Sequence, residues 1–210
     1  MFTTLIDFNS LFDQLNNTNL IIFDARYDLM NKSAGREAYL QSHIPGAIYV
    51  DLHLDLSRPP AINRGRHPLP DKKTINKLFS ELGICKEKLV VVYDDTFGSF
   101  AARLWWMLKH MQHDKVAVLD GGWQHWVDSG GTVSSKNEIR IASQFNNTSL
   151  DKTLVNIEQM RDFNLIVDSR EPSRYRGESE PIDKAAGHIP GAKNRFWKNN
   201  LTETGCFKKQ

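Results

Sequence analysis

The stretch LIIFDARYDLMNKSAGREAYLQSHIPGAIYVDL, residues 20–52, returns in altered form as LIVDSREPSRYRGESEPIDKAAGHIPGAKNRFW, residues 165–197. Each opens with an apolar run ending in Asp-x-Arg, Asp24 and Arg26 in the first and Asp168 and Arg170 in the second. Each then leads to a His-Ile-Pro-Gly-Ala pentapeptide. The histidines His43 and His188 stand 145 residues apart and the aspartates 144. Two separate signals agreeing in offset to within one residue indicate a tandem duplication rather than a chance match. A histidine kept in both copies reads as structural, with the pentapeptide forming a turn into a strand and Gly46 and Gly191 supplying the backbone freedom.

Around the first copy, Leu20–Asp24, Leu89–Tyr93 and Lys115–Leu119 are short apolar runs of buried-strand type. Asp71–Leu82 follows Pro70, spaces Ile75, Leu78, Phe79 and Leu82 at helical intervals, and stops at Gly83. Ser99–Met111 and Gly122–Ser129 read as two further helices, with Trp105, Trp106, Trp123 and Trp126 as core. Strands alternating with helices predict an α/β fold, a mostly parallel sheet flanked by helices. The expected organisation is a first domain over 1–135, a linker over 136–150 rich in Ser, Asn and Lys, and a second copy over 151–210 that opens with a short helix near 155–161. Carrying the offset forward from residues 89–99 puts the matching strand, loop and helix of the second copy near residues 234–244, past Gln210. The second copy is therefore expected to be incomplete, with sheet edge exposed for pairing. Its residues are left with three outcomes: partial disorder, docking on the first domain, or pairing with another chain.

The 27 basic and 25 acidic side chains are interspersed without a basic block, which argues against a nucleic-acid partner. No apolar run is long enough for a membrane span, and Asp7 and Asp13 interrupt the start where a secretory signal needs an apolar stretch. The expectation is a cytoplasmic protein that does not engage a membrane. Cys85 and Cys206 lie far apart in no metal-ligand spacing, so neither a disulfide framework, nor a metal site, nor any cofactor is expected. Cys85 reads as partly buried and Cys206 as an exposed, ordinary thiol.

Six motifs in order carry a resemblance over nearly the whole chain: the paired HIPGA segments, RHPLP (66–70), VVYD (91–94), AARLWW (101–106), VLDGGW (118–123) and RYRG (174–177). They resemble the tandem-domain rhodanese and 3-mercaptopyruvate sulfurtransferase family. The resemblance implies a rhodanese-like fold, one complete copy followed by an incomplete one. It also implies sulfur transfer from thiosulfate or 3-mercaptopyruvate to cyanide or a thiol through a cysteine persulfide. In the family that cysteine sits on a strand-to-helix loop of the second domain, where backbone N–H groups and a helix N-terminus stabilise the thiolate.

By resemblance the corresponding loop of the first copy runs from Asp94 and Asp95 to Gly98 and Ser99, with Asp94 at the cysteine's position. A carboxylate has no thiol to form a persulfide and repels an anionic donor, so this loop reads as degenerate. Arg174 matches the arginine that holds the donor's anionic group, against the plainer reading of a surface salt bridge with Glu171 or Glu178. His67 resembles a first-domain histidine that relays a proton, against a loop residue that fixes its own backbone. His53 stands where relatives carry Asp, and Ile182 where vertebrate mercaptopyruvate-type members carry a second anion-binding arginine, which leaves the donor open. The partners implied are a small anionic sulfur donor and a thiol or cyanide acceptor. The expected function is that of a sulfurtransferase-family chain inactive by itself; the alternative is a non-catalytic rhodanese-like binding or scaffold module. A phosphatase reading fails because no Cys-(x)5-Arg segment exists.

Overall fold

Residues Val90 to Tyr93 have no exposed surface at all, which requires a strand covered on both faces. The computed structural model describes residues 4–62, 64–139, 141–147 and 154–209, without the side chain of Arg161. Its elements in chain order are β1 (Leu5–Ile6), α1 (Phe8–Phe12), β2 (Leu20–Asp24), α2 (Ala34–Gln41), β3 (Ala47–Tyr49), α3 (Lys72–Glu81), β4 (Leu89–Tyr93), α4 (Ala101–His110), β5 (Val116–Leu119) and α5 (Gly122–Asp128). There follow a 3-10 turn (Gln159–Asp162), β6 (Val167–Asp168), α6 (Pro172–Arg176), β7 (Lys193–Asn194) and a second 3-10 turn (Trp197–Asn200). The chain divides into two units, Met1–Asp151 and Lys152–Gln210.

In the first unit five parallel strands lie in the order β1-β5-β4-β2-β3. Alternation along β4 sends Val90 and Val92 into a cluster with Ile75, Phe79, Leu104 and Met107 from α3 and α4. Val91 and Tyr93 enter the opposite cluster with Leu11 of α1 and Trp126 of α5. The two-residue side-chain period of a strand thus builds both cores from one valine run. The mixed α/β architecture with a central parallel sheet is the one expected from the sequence. Of the four tryptophans expected in the core, Trp105, Trp106, Trp123 and Trp126, only Trp126 is fully buried, its indole N–H donating to Thr132 O at 2.9 Å. Trp105, Trp106 and Trp123 are half-buried, because α4 and α5 each present only one face to the sheet.

The polar stretch after α5 is more than a connector. Ser143 N donates to Ser80 O at 2.8 Å, Ser143 Oγ to Ile84 O at 2.6 Å, and Asn147 N to Asn76 Oδ1 at 3.0 Å. Phe145, only 6% exposed, meets Phe79 edge-on at 5.1 Å. Gly83, with φ +77°, lets this strap pass, since a Cβ there would come within 2.5 Å of Ile141 O. One buried aromatic side chain and these hydrogen bonds dock it together. Arg140, 148–150 and the expected boundary at 151 lie outside the described residues, as do Met1–Thr3 and Gln210.

In the second unit the expected helix near 155–161 is a single 3-10 turn, Gln159–Asp162. Asn156 and Gln159 cap each other through reciprocal backbone N–H bonds of 2.8 and 2.9 Å, but Ile157 is 82% exposed. With no apolar face to bury, the turn has nothing to reward propagation. β6 and β7 pair in parallel, and among the described residues of this unit only Ala192 and Leu201 are buried hydrophobics. Leu165, Val167 and Ile189 remain half or more exposed.

Substituting Phe145→Ala is expected to destabilise the first unit by about 3–5 kcal/mol in a denaturant titration. Ile139→Ala on the same strap, 85% exposed, is expected to change stability by no more than about 0.5 kcal/mol.

Candidate functional site

β2 and β4 run parallel and end side by side, at Asp24 and Tyr93, so the loops that follow them emerge at one edge. Asp24 is fully buried and accepts from Arg26 Nη2 at 2.6 Å and from Tyr93 Oη at 2.7 Å. Arg26 Nη2 also donates to Ser42 O at 2.6 Å, and its guanidinium lies 4.5 Å from the centre of the Trp123 ring. Burial by itself would lower the arginine's pKa, but the hydrogen bonds and charge of Asp24 more than offset it and leave the pKa raised.

Beyond β4 the loop from Asp94 to Ser99 turns through two left-handed residues, Phe97 at φ 59° and Gly98 at φ 90°. The turn brings successive N–H groups onto one carboxylate. Asp94 Oδ1 accepts from Thr96 N at 2.9 Å and Gly98 N at 2.8 Å, and Oδ2 accepts from Phe100 N at 2.7 Å and Ala101 N at 2.8 Å. Ala101 opens α4, so the carboxylate also sits where a helix N-terminus favours negative charge. Asp94 is fully buried. Its carbonyl accepts from Trp123 N at 2.8 Å, and a Cβ at Gly122 would come within 2.4 Å of that oxygen. The loop is thus an anion cradle occupied by its own side chain. Asp95 is exposed, and Ser99 Oγ donates to Thr96 O at 2.7 Å.

His67 is half-buried, edge-on to both Tyr27 at 6.1 Å and His53 at 5.9 Å. Tyr27 meets Phe100 at 5.5 Å, which links His67 to the residue preceding α4. Arg103 on α4 donates to His67 O at 3.2 Å and Leu56 O at 3.0 Å. Burial, then the charges of Arg66 and His53, push the His67 pKa below its usual value, which favours the neutral ring. Tyr27 and Arg103 are the residues that sequence reasoning missed here, since their contacts to His67 join positions 36 to 40 residues apart.

Arg174 lies in the second unit, on α6. Its Nε donates to Glu180 Oε2 at 3.2 Å and its Nη2 to Glu180 Oε1 at 2.6 Å and Asp183 Oδ2 at 3.1 Å. The salt-bridge partners read from sequence proximity were wrong: Glu178 pairs with Arg176, and Glu171 precedes α6. Gly177, in the left-handed conformation, ends α6 and turns the chain so that residues 180–183 return to Arg174. Arg170 bonds Asp168 and Gly187 O at 2.7 and 2.6 Å, repeating the Arg26 arrangement.

The paired histidines make matching contacts to a tyrosine, although His43 is fully buried and His188 is exposed. His43 Nδ1 lies 2.7 Å from Tyr39 O with the rings stacked at 4.1 Å, and His188 Nδ1 lies 2.7 Å from Tyr175 O with the rings stacked at 3.8 Å. Tyr39 Oη donates to Ala47 O and Tyr175 Oη to Ala192 O, at 3.0 and 2.8 Å. Both histidines are thus engaged in holding a helix to the following strand. Cys85 is half-buried, and its hydrogen bond is the main cause of a lowered Glu87 pKa. Cys206 is half-buried rather than exposed, because Thr202 N donates to Cys206 O at 2.8 Å and folds the chain over.

A parallel five-stranded sheet whose fourth strand in chain order opens into an N–H cradle at a helix start is the architecture of a rhodanese-fold domain. Residues 7–129 match the model of the rhodanese-like domain. The probable 3-mercaptopyruvate sulfurtransferase of Pseudomonas aeruginosa is 35% identical over 210 residues, covering 97% of this chain and 74% of that protein. The thiosulfate sulfurtransferase of Bos taurus is 36% identical over 203 residues, covering 90% and 66%. Among solved structures, the 3-mercaptopyruvate sulfurtransferase from Leishmania major superposes with a TM-score of 0.85 at 25% identity, and this chain spans 59% of its length. SseA from Escherichia coli superposes at 0.81 with 26% identity over 80% of its length. The chain belongs to the rhodanese family of sulfurtransferases.

Asp94→Ala strips the acceptor from four N–H groups and is expected to cost about 3 kcal/mol or more in a denaturant titration. Because the folded-state pKa of His67 is depressed, neutral His67 contributes stability above about pH 6.5 that is lost as pH falls through the folded value. His113 is shifted the same way, first by burial. Nuclear magnetic resonance titration is expected to place both midpoints below 6.5; a midpoint at or above that value removes the pH dependence assigned to that ring.

Proposed function

We propose that this chain carries the non-catalytic first domain of a sulfurtransferase, residues 1–135, joined through 136–150 to the donor-binding part of a second copy, 151–210. The reaction is transfer of sulfur from thiosulfate or 3-mercaptopyruvate to cyanide or a thiol. In the complete reaction a cysteine thiolate attacks the donor's transferable sulfur and forms a persulfide as the S–S bond of thiosulfate breaks to release sulfite, or as the C–S bond of 3-mercaptopyruvate breaks to release the pyruvate enolate, which takes the thiol proton; the acceptor then takes that sulfur and frees the thiolate. The 210-residue chain is itself inactive in this reading. The names and identities of the relatives support the substrate class.

One observation carries the assignment of roles: the loop of the first unit already holds a carboxylate on all four N–H groups where a reacting thiolate would need them. Neither cysteine of this chain lies on that loop. Arg174 is the donor-binding residue, since a guanidinium can bind a sulfonate or carboxylate through parallel hydrogen bonds. His67, kept neutral, is suited to proton relay. Among the described residues no helix is long and apolar enough to cross a membrane.

The self-filled cradle also favours the alternative, a non-catalytic module that binds a partner. Sulfur transfer to cyanide by the purified chain, offered thiosulfate and then 3-mercaptopyruvate, is expected to produce no thiocyanate above the uncatalysed rate. Turnover abolished by Cys206→Ser or Cys85→Ser would place the nucleophile in this chain and overturn the reading.

A further inference from the structure

The two copies keep nearly the same distance from aspartate to histidine, yet they distribute it differently. Tyr39 precedes His43 by four residues, whereas Tyr175 precedes His188 by thirteen, although each tyrosine stacks on its histidine and bonds it through its own carbonyl. The extra chain in the second copy follows α6, and it carries both acidic partners of Arg174. The first copy places its longer connection before α2 and has no equivalent of this segment between Tyr39 and His43.

The two carboxylates are held very differently. Glu180, its side chain 5% exposed, takes the Nε–Nη2 edge of Arg174 with two bonds, lies 3.4 Å from Arg170 Nη1, and accepts from Ile182 N and Asp183 N at 3.2 and 3.1 Å. Asp183, its side chain 50% exposed, meets Arg174 at Nη2, at 3.1 Å. A bidentate, buried partner fixes the guanidinium plane, while a half-exposed carboxylate that meets the guanidinium at one nitrogen is more readily exchanged there for another anion.

We propose that Asp183 is a displaceable internal anion on Arg174: its carboxylate covers the Nη2 end of the guanidinium in the resting protein, and the anionic end of a sulfur donor replaces it. This rests on the reading of Arg174 as the donor-binding residue. Glu180 is the positioning residue, keeping the guanidinium oriented through the exchange. The segment between Tyr175 and His188 therefore sets the threshold for donor binding: the donor must outcompete a tethered carboxylate. A neutral compound gains nothing from the exchange.

The test is titration of the intact 210-residue chain with sodium thiosulfate at constant ionic strength, followed by the Arg174 Nε–Hε resonance. Asp183→Asn and Asp183→Ser are expected to bind thiosulfate about three- to fivefold more tightly than the unaltered chain, as loss of one exposed ion pair predicts. Asp183→Glu, which restores the charge, is expected to bind as the unaltered chain does. Affinity unchanged or weakened in Asp183→Asn, with binding lost in Arg174→Gln, overturns the displacement and leaves the donor site standing. Binding that survives Arg174→Gln undiminished, or absent from every form including Asp183→Asn, overturns both.

Discussion

The Asp-x-Arg pair at the end of the first strand of each copy is the constraint on which both units are built. In the first unit Arg26 and Asp24 are almost wholly enclosed, and the guanidinium that satisfies the aspartate also reaches Ser42 O, one residue before His43. In the second unit Arg170 reaches Gly187 O, one residue before His188. A strand end is thereby tied to the turn that starts its neighbouring strand. Removing either partner of the enclosed pair would leave a buried charge with no compensation, which costs far more than an exposed pair is worth.

That tie also governs where chemistry can happen. It fixes the ends of β2 and β4 in register, and the loop leaving β4 must then turn sharply into α4, passing Phe97 and Gly98 through left-handed conformations. The same turn gathers N–H groups onto one point, which is what makes it an anion site. In the first unit the anion is part of the chain. Asp94 supplies the negative charge in the folded protein and holds the loop through four backbone N–H groups.

In the second unit the same scaffold supports an addition. Arg170 and Arg174 share the carboxylate of Glu180, so the arginine that repeats in both copies braces the one that does not. The longer connection between Tyr175 and His188 carries Glu180 and Asp183 to Arg174, while the tyrosine–histidine stack recurs in both units.

The parallel α/β order and the strands at Leu20–Asp24 and Leu89–Tyr93 were legible in the sequence, because they depend on local periodicity and residue identity. The docked strap around Phe145 was not, since one aromatic in a run of Ser and Asn gives no periodic signal, and its burial depends on a groove beside α3 made by distant residues. A fixed offset of 145 residues also conceals that Tyr175 corresponds to Tyr39, because the extra residues after α6 are offset by the shorter connection before it. Only the folded chain could pair Arg174 with Glu180 and Asp183 rather than with its sequence neighbours: a left-handed glycine reverses the path there, and which charges then meet is a matter of three-dimensional distance.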